Sequence, residues 1–429
     1  MLVVRLADEA AYFLPSAALE AFRAELGLTY AQAGTVLALI APGALAGTVF
    51  AVAADRGSRR AIASGGTFAF AACLAAFASG ASFAVLATAA FVMGAASTAM
   101  VDAAEVALVD LAGDDLRPAL ARANLLGTIG DVLGPALVAA VAGVGLSWRA
   151  TFWVGAVGLA IYGAVLAGAN LPGPSRAAAD EDDRPSSLRV LVAVGRDGRV
   201  WLVGLMSLLM GPFDEALLGF TIALLQRERG ASMAVATLVA LIGVSGGLLT
   251  FTVLARQVQD VAEARLLVVS GLTMTLGALM IALLGAPVFV AAGAFVTDVG
   301  LNLGWLALQH RTLTLRPGEV GSTKAVVSAI EFGGAAVPIA IGAVADRTDL
   351  VTAVGLYAVL GLVFTALAMA GARERALPAS ADALEADSRR APPGMGPAGR
   401  RPDSRHGDLH GDHHQARHPA VPPRPHRRR

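Results

Sequence analysis

Twelve stretches of mostly apolar residues dominate this chain, each near the length of about twenty that an α-helix needs to cross a hydrocarbon core of roughly 30 Å. They fall at residues 2–19, 32–53, 61–79, 83–108, 124–145, 150–169, 200–224, 233–254, 266–285, 288–309, 323–345 and 350–370. Lipid offers no water to a bare backbone, so each stretch must satisfy its own amides and carbonyls as a helix. The fold class expected is therefore an all-α polytopic membrane protein with twelve transmembrane helices. Only 15% of the 429 residues are charged and 56% are hydrophobic, which excludes an ordinary soluble enzyme.

Connections between the stretches are short, with one exception. Leu171 to Arg199 contains Pro172-Gly173-Pro174 and the acidic run Asp180-Glu181-Asp182-Asp183, the composition of a linker. The expected organisation is an N-terminal six-helix bundle over 1–170, a cytoplasmic central linker over 171–199, a C-terminal six-helix bundle over 200–371 and a tail over 372–429. That tail holds nine prolines, twelve arginines and six histidines without apolar periodicity, so it is read as disordered, with only adventitious metal contacts from its histidines. The two halves repeat one another. Asp8-Glu9-Ala10 recurs as Asp214-Glu215-Ala216, Thr35-Val36-Leu37-Ala38-Leu39-Ile40 as Thr237-Leu238-Val239-Ala240-Leu241-Ile242, Ala90-Phe91-Val92 as Ala294-Phe295-Val296, and Pro135 as Pro338. The offsets are 206, 202, 204 and 203. On that alignment Val200, where the seventh stretch begins, pairs with a position before Met1, so either the first helix is short or the start lies upstream.

Loop charge sets the orientation, because basic residues collect on the cytoplasmic side. With the N-terminus inside, sixteen basic residues of the body fall on cytoplasmic segments and five outside, so both termini are expected in the cytoplasm and the chain in the plasma membrane. The formal net charge of zero is an acidic body, 26 acids against 21 bases up to Gly371, cancelled by a tail with 7 and 12. Cys73 is the sole cysteine, six of the seven histidines lie in the tail, and Lys324 is the sole lysine. Disulfide frameworks, cysteine metal sites and a phosphate-binding loop with its lysine are thereby excluded. No cleavable leader is expected ahead of the first apolar stretch.

Three motifs carry a family resemblance. Ala51-Val52-Ala53-Ala54-Asp55-Arg56-Gly57-Ser58-Arg59-Arg60 follows the second stretch and is similar to a G-x-x-x-D-R-x-G-R-R loop, with Ala51 and Ser58 in place of two glycines. Gly130-x-x-x-Gly134-Pro135 lies in the fifth, and Ser147-Trp148-Arg149-Ala150-Thr151-Phe152 opens the sixth. Over residues 1 to 371 the chain resembles the major facilitator superfamily, in particular its drug/proton antiporter-type exporters. The resemblance implies a secondary transporter built of two parallel repeats about a midplane cavity. It also implies that Asp55, Arg56, Arg59 and Arg60 form a cytoplasmic gate loop that latches the halves; the plain alternative is that the arginines only set topology. Gly130 and Gly134 permit close helix approach in lipid, and Pro135 adds a bend that bears on gating. The arginine that such exporters carry in the fourth span is replaced here by the neighbourhood Val92-Met93-Gly94.

Charges inside the stretches are all acidic near mid-span. Asp8, Glu9, Asp102, Glu105, Asp131, Asp214, Glu215, Asp298 and Glu331 lie there, and each would cost at least roughly 2.5–3.5 kcal/mol if ionised at the bilayer centre. They must line a wet cavity, sit at a helix end or change protonation. Asp102 and Glu105 are expected to reach water or pair with Arg117 or Arg122. Asp298, with Asn302 one turn on, either carries a proton or hydrogen-bonds a neighbouring helix. The candidates for the proton and substrate cavity are Asp8, Glu9, Asp131, Asp214, Glu215, Asp298, Asn302 and Glu331. His310 is read as a helix-end residue, and Tyr12, Phe13, Pro15, Trp201, Phe213 and Trp305 as a candidate aromatic wall.

Acids that change protonation on alternating sides are what a proton-coupled carrier needs, and negative potential in a cavity favours cations. The function expected is proton-coupled efflux of a lipophilic or cationic small molecule by alternating access, with no cofactor beyond the proton gradient. Membrane lipids are the other partner; a monomer that binds no nucleic acid is expected. The rivals are a proton-coupled importer of a small neutral nutrient and, more distantly, a polytopic membrane enzyme or sensor, which would need a catalytic constellation the sequence does not offer.

Overall fold

The computed structural model describes residues 2–56, 58–112, 116–169, 187–258, 261–316 and 319–376. All regular structure among them is helical. The first stretch runs as three short helices, α1 (Leu2–Tyr12), α2 (Leu14–Ala17) and α3 (Leu19–Leu26). The second is α4 (Tyr30–Ala38) and α5 (Ile40–Arg56), followed by α6 (Arg59–Ser79), α7 (Phe83–Ala112), α8 (Leu116–Gly143) and α9 (Trp148–Gly168). A short α10 (Ser187–Gly195) lies in the segment expected as linker; residues 171–186 of that segment, and residue 170 before it, are outside the described ones.

In the second half the seventh stretch is α11 (Gly198–Met210) and α12 (Glu215–Arg227), joined by a tight turn at Gly211–Phe213. The eighth is α13 (Met233–Leu249), a wide turn at Thr250–Leu254 and α14 (Ala255–Gln257). Then come α15 (Glu263–Leu283), α16 (Pro287–Thr314), α17 (Val320–Glu331), a tight turn at Phe332–Ala335, α18 (Ala336–Arg347) and α19 (Leu350–Ala376). The last helix thus continues past residue 370, while 377–429, most of the expected tail, lies outside the described residues.

Eleven described runs are long and apolar enough to cross a membrane, matching the second to twelfth stretches. The first does not form one such run. It carries Arg5, Asp8 and Glu9, and Pro15 has no amide hydrogen to donate to the Ala11 carbonyl, so the helix breaks at Phe13 and Ala18. Pro42 leaves the Ala38 carbonyl without the corresponding partner and α4 parts from α5 at Leu39. Pro212 does the same at the tight turn in the seventh span. Helix starts are capped from the sequence: Thr29 and Gln32 bond reciprocally in a capping box at 3.1 and 3.0 Å, and Ser58 and Ser232 accept from Ala61 and Val235.

Short loops make successive spans antiparallel, so α1 begins on what is here called the N-terminal face and α4 begins on the opposite face. Each half packs mainly on itself, α1 with α8, α5 with α7, α6 with α9, and in the second half α11 with α17, α13 with α16, α15 with α16 and α19. Extensive contact between the halves is confined to α2 and α3 with α12, α4 with α18, and α8 with α13. Apart from α8, these pieces belong to the parts of their spans nearer the opposite face. Leu14 to Glu20 and Ala216 to Leu225 are buried there without interruption, whereas Arg5, Leu6, Ala7, Glu9 and Ala10 of α1 stay half-buried. The halves are joined at the opposite face and part toward the N-terminal one.

Candidate functional site

Five of the expected acids come together where the halves part. Asp8 and Glu9 are carried by α1, Asp131 by α8, and Asp214 and Glu215 by the start of α12. The helices meet closely because α8 offers glycines to α1. A Cβ on Gly130 would stand 2.6 Å from the Leu6 carbonyl oxygen and 2.9 Å from Glu9 Cβ, and one on Gly134 would stand 2.8 Å from the Ala10 oxygen and 3.0 Å from Phe13 Cβ. This is the close approach small residues permit in lipid. It brings Asp131 within electrostatic range of Glu9, Asp214, Glu215 and Asp298, and Glu215 within range of Asp8 and Glu9. Tyr12, one turn along α1 from Asp8, lies within range of all four acids of the first and seventh spans.

Access differs among them. Asp8 is 5% exposed and accepts a hydrogen bond of 2.7 Å from the Ser97 hydroxyl on α7. Asp214 is exposed although protein surrounds it, which marks a side chain that faces an internal cleft rather than lipid or the core. Its backbone, φ −77° and ψ −124°, is non-helical, because Pro212 interrupts the span just before it. Glu9, Asp131 and Glu215 are half-buried. The cation nearest α1's acids is Arg5, 3.6 Å from Glu9 and bonded to Glu105. Glu105 pairs with Arg5, because the first turns of α1 lie against α7. Arg122 is exposed, and the Arg117 side chain is outside the described structure.

Asp298 hydrogen-bonds a neighbouring helix and also lies within electrostatic range of Asp131 and Asp214. Its carboxylate accepts from the Gly247 amide of α13 and from Asn302 at 3.1 Å, and Asn302 also donates to the Asp298 carbonyl at 2.9 Å, so Asp298 ties α16 to α13 and Asn302 braces it from within α16. Glu331 ends α17 half-buried, with Lys324 as its charged neighbour, and stands apart from the cluster. In the expected gate loop, Arg59 is buried and Arg60 exposed; Gly57 and the side chains of Asp55 and Arg56 lie outside the described structure. Pro135 is buried inside α8. His310 is at the N-terminal face, 3.4 Å from Glu263. Of the aromatic-wall candidates, Phe13 packs on Gly134, Phe213 stacks edge-on against Tyr357 with centroids 5.4 Å apart, Trp201 donates to the Gly195 carbonyl, Pro15 is buried and Trp305 is exposed, while Tyr12 stands beside the acids.

Sequence reasoning missed the joint on the opposite face. Asp346, at the end of α18, accepts from the Tyr30 and Ala31 amides at 2.7 and 2.8 Å, so one half caps a helix of the other. Tyr30 donates its hydroxyl to Glu20 at 2.9 Å, and Arg23 holds Glu20 through two bonds of 2.8 Å while lying over the Tyr30 ring. Glu25 accepts from Trp148 at 2.7 Å and from Arg149 at 2.9 Å, closing α3 onto α9. The i, i+3 spacing of Glu20 and Arg23 is the sequence signal that could have pointed to this joint. Ser97 carried no signal at all, being one hydroxyl in an alanine-rich helix 89 residues from its partner.

Two six-helix halves that meet at one face and part at the other, with ionisable groups between them at mid-depth, are the architecture of a secondary transporter, not of an enzyme. The chain belongs to the Major Facilitator Superfamily, whose sequence pattern matches residues 1–337. No curated protein matches it by sequence. Among solved structures, it is similar to a mutant of the nucleoside transporter NupG, with 16% identity, TM-score 0.72, and 86% of this chain and 98% of that one covered. A bacterial homologue of the human lysosomal transporter Spinster, inward-facing and occupied, aligns at 16% identity and TM-score 0.68 over 87% and 95% of the two chains. A D-xylose–proton symporter aligns at 15% identity and TM-score 0.67 over 86% and 95%. These likenesses concern the fold.

Proposed function

We propose that this transporter exports a lipophilic, cationic compound in exchange for protons, by alternating access in the plasma membrane with both termini in the cytoplasm. One observation carries the reading. Glu9, Asp131, Asp214 and Glu215, from three spans, are partly or fully exposed where the halves part, with Asp8 buried beside them, and Arg5, the cation of α1, is already engaged by Glu105 and Glu9. Such a cleft repels anions and draws cations, and its acids are the groups able to take up and release protons between the two faces. The excess of basic loop residues on the N-terminal face supports a cytoplasmic placement of that face, and the Gly130-x-x-x-Gly134-Pro135 resemblance supports export.

Inside-out vesicles with an acidified lumen test this directly. Adding a lipophilic cation such as tetraphenylphosphonium or ethidium is expected to release lumenal protons, read by a pH-sensitive dye, and Asp8→Asn with Asp214→Asn should abolish that release while the protein stays in the membrane. Full pH-dependent transport in the double variant would overturn the role of these acids. The rival reading, proton symport of a small neutral nutrient, draws on Val92-Met93-Gly94 standing where the resembling exporters carry arginine. Symport would move protons into the lumen together with added cargo, the opposite sign.

A further inference from the structure

The sequence repeats Asp8-Glu9-Ala10 as Asp214-Glu215-Ala216, yet the two aspartates occupy unlike settings. Asp8 sits inside an unbroken helix, α1, and is 5% exposed. Asp214 sits on the break that Pro212 makes and is open to the cleft. The difference extends to their neighbours on the fourth and tenth spans. Ser97 of α7, itself 7% exposed, bonds Asp8 at 2.7 Å. The Ala90-Phe91-Val92 and Ala294-Phe295-Val296 match places Leu301 of α16 at the corresponding position, and a leucine has no hydroxyl to offer. Asp214 accordingly has no hydrogen-bond partner for its carboxylate among the described residues.

We propose that Ser97 is a positioning residue that holds Asp8 as the occluded acid of the repeated pair, while Asp214 is the acid that meets water and cargo from the open face. The two carboxylates then act in sequence, not as equivalent sites. The inference rests on the proton-coupled reading above. Its physical basis is that a buried carboxylate needs a hydrogen-bond donor, and the Ser97 hydroxyl supplies one. The other charged or polar groups that face Asp8 are Arg5, Glu9 and Tyr12 of its own helix, Asp102 of α7 and Glu215 of α12. Arg5 is committed to Glu105 and Glu9, so Ser97 is the direct hydrogen-bond partner of Asp8.

Carboxyl labelling without cargo separates this inference from the export reading. The full-length protein in inside-out vesicles is treated with a water-soluble carbodiimide and an amine, and amide formation at Asp8 and Asp214 is read by peptide mass spectrometry. Asp214 should be modified and Asp8 protected. Ser97→Ala should raise modification of Asp8 about fivefold, the effect of losing one hydrogen bond of ordinary strength, and leave Asp214 unchanged; Ser97→Thr should restore protection. In transport, Ser97→Ala should lower the maximal rate with KM unchanged, whereas Asp214→Asn should raise KM. Equal labelling of the two aspartates in the unmodified protein, or Asp8 labelling indifferent to Ser97→Ala, would overturn the proposal. If labelling behaves as expected and lipophilic cations move no protons, the export reading fails and the division between the aspartates stands.

Discussion

Replacing Asp346 by alanine should loosen the joint between the halves by an amount that can be worked out. Its carboxylate accepts two backbone amides, at 2.7 and 2.8 Å, at the first turn of α4. Hydrogen bonds to a charged group contribute ~1.5–3 kcal/mol each when well shielded. Asp346 is exposed, so solvent competes and the two bonds together are worth less than that range implies, about the 1–2 kcal/mol of a good helix N-cap. Losing both bonds therefore costs about 1–2 kcal/mol, or about a 5- to 30-fold rise in the population in which α4 and α18 separate. Ser16, 1% exposed and packed where Gly219 of α12 approaches α2, reports that opening. In a Cys73→Ser background, Ser16→Cys should react with a membrane-impermeant maleimide from the opposite face about 5- to 30-fold faster once Asp346→Ala is added. An unchanged labelling rate would refute the idea that this cap holds the halves together.

Two further outcomes follow from the same structure. Asp298→Asn keeps an oxygen that can accept from Gly247 and should leave pH-dependent transport intact, whereas Asp298→Leu should lower thermal stability by about 1–3 kcal/mol for the stranded amide; loss of proton coupling in the asparagine variant would place Asp298 on the proton path instead. Beyond the first apolar stretch, the hydrogen bonds of Arg149, and then of Trp148, hold the Glu25 carboxyl below its ordinary range. A depressed carboxyl stabilises the fold above the unfolded value and loses that contribution as pH falls through the folded one. Thermal melts at neutral and acidic pH should therefore converge for Arg149→Gln, and an acid sensitivity equal to that of the unmodified protein would contradict this.

The positions of the second to twelfth spans were legible because lipid leaves a hydrophobic stretch one backbone solution and a narrow range of lengths. What sequence could not supply was how a span behaves inside. Pro15 and Pro212 announce breaks, but periodicity does not reveal that the break falls on Asp214 in one half and beyond Asp8 in the other. That offset of a few residues makes repeat-related acids unlike. Glu331 illustrates the converse: its depth along the eleventh span matches that of Asp131 in the fifth, yet only Asp131 faces the other acids. The cap by Asp346 was hidden because an Asp-Arg pair at a span's end reads as interfacial charge, and its partner amides lie more than 300 residues away.

The charged first helix also constrains how the protein is made. Arg5 and Glu9 can pair within α1, but its other partners come from later spans, and each charge at a helix centre resists insertion by ~2.5–3.5 kcal/mol. Glu105 and Ser97 emerge only with the fourth span, and Gly130 and Gly134 only with the fifth. The charges of α1 therefore gain their helix-to-helix partners only once the fifth span has been synthesised, so the packing of this segment is settled late although its residues are made early.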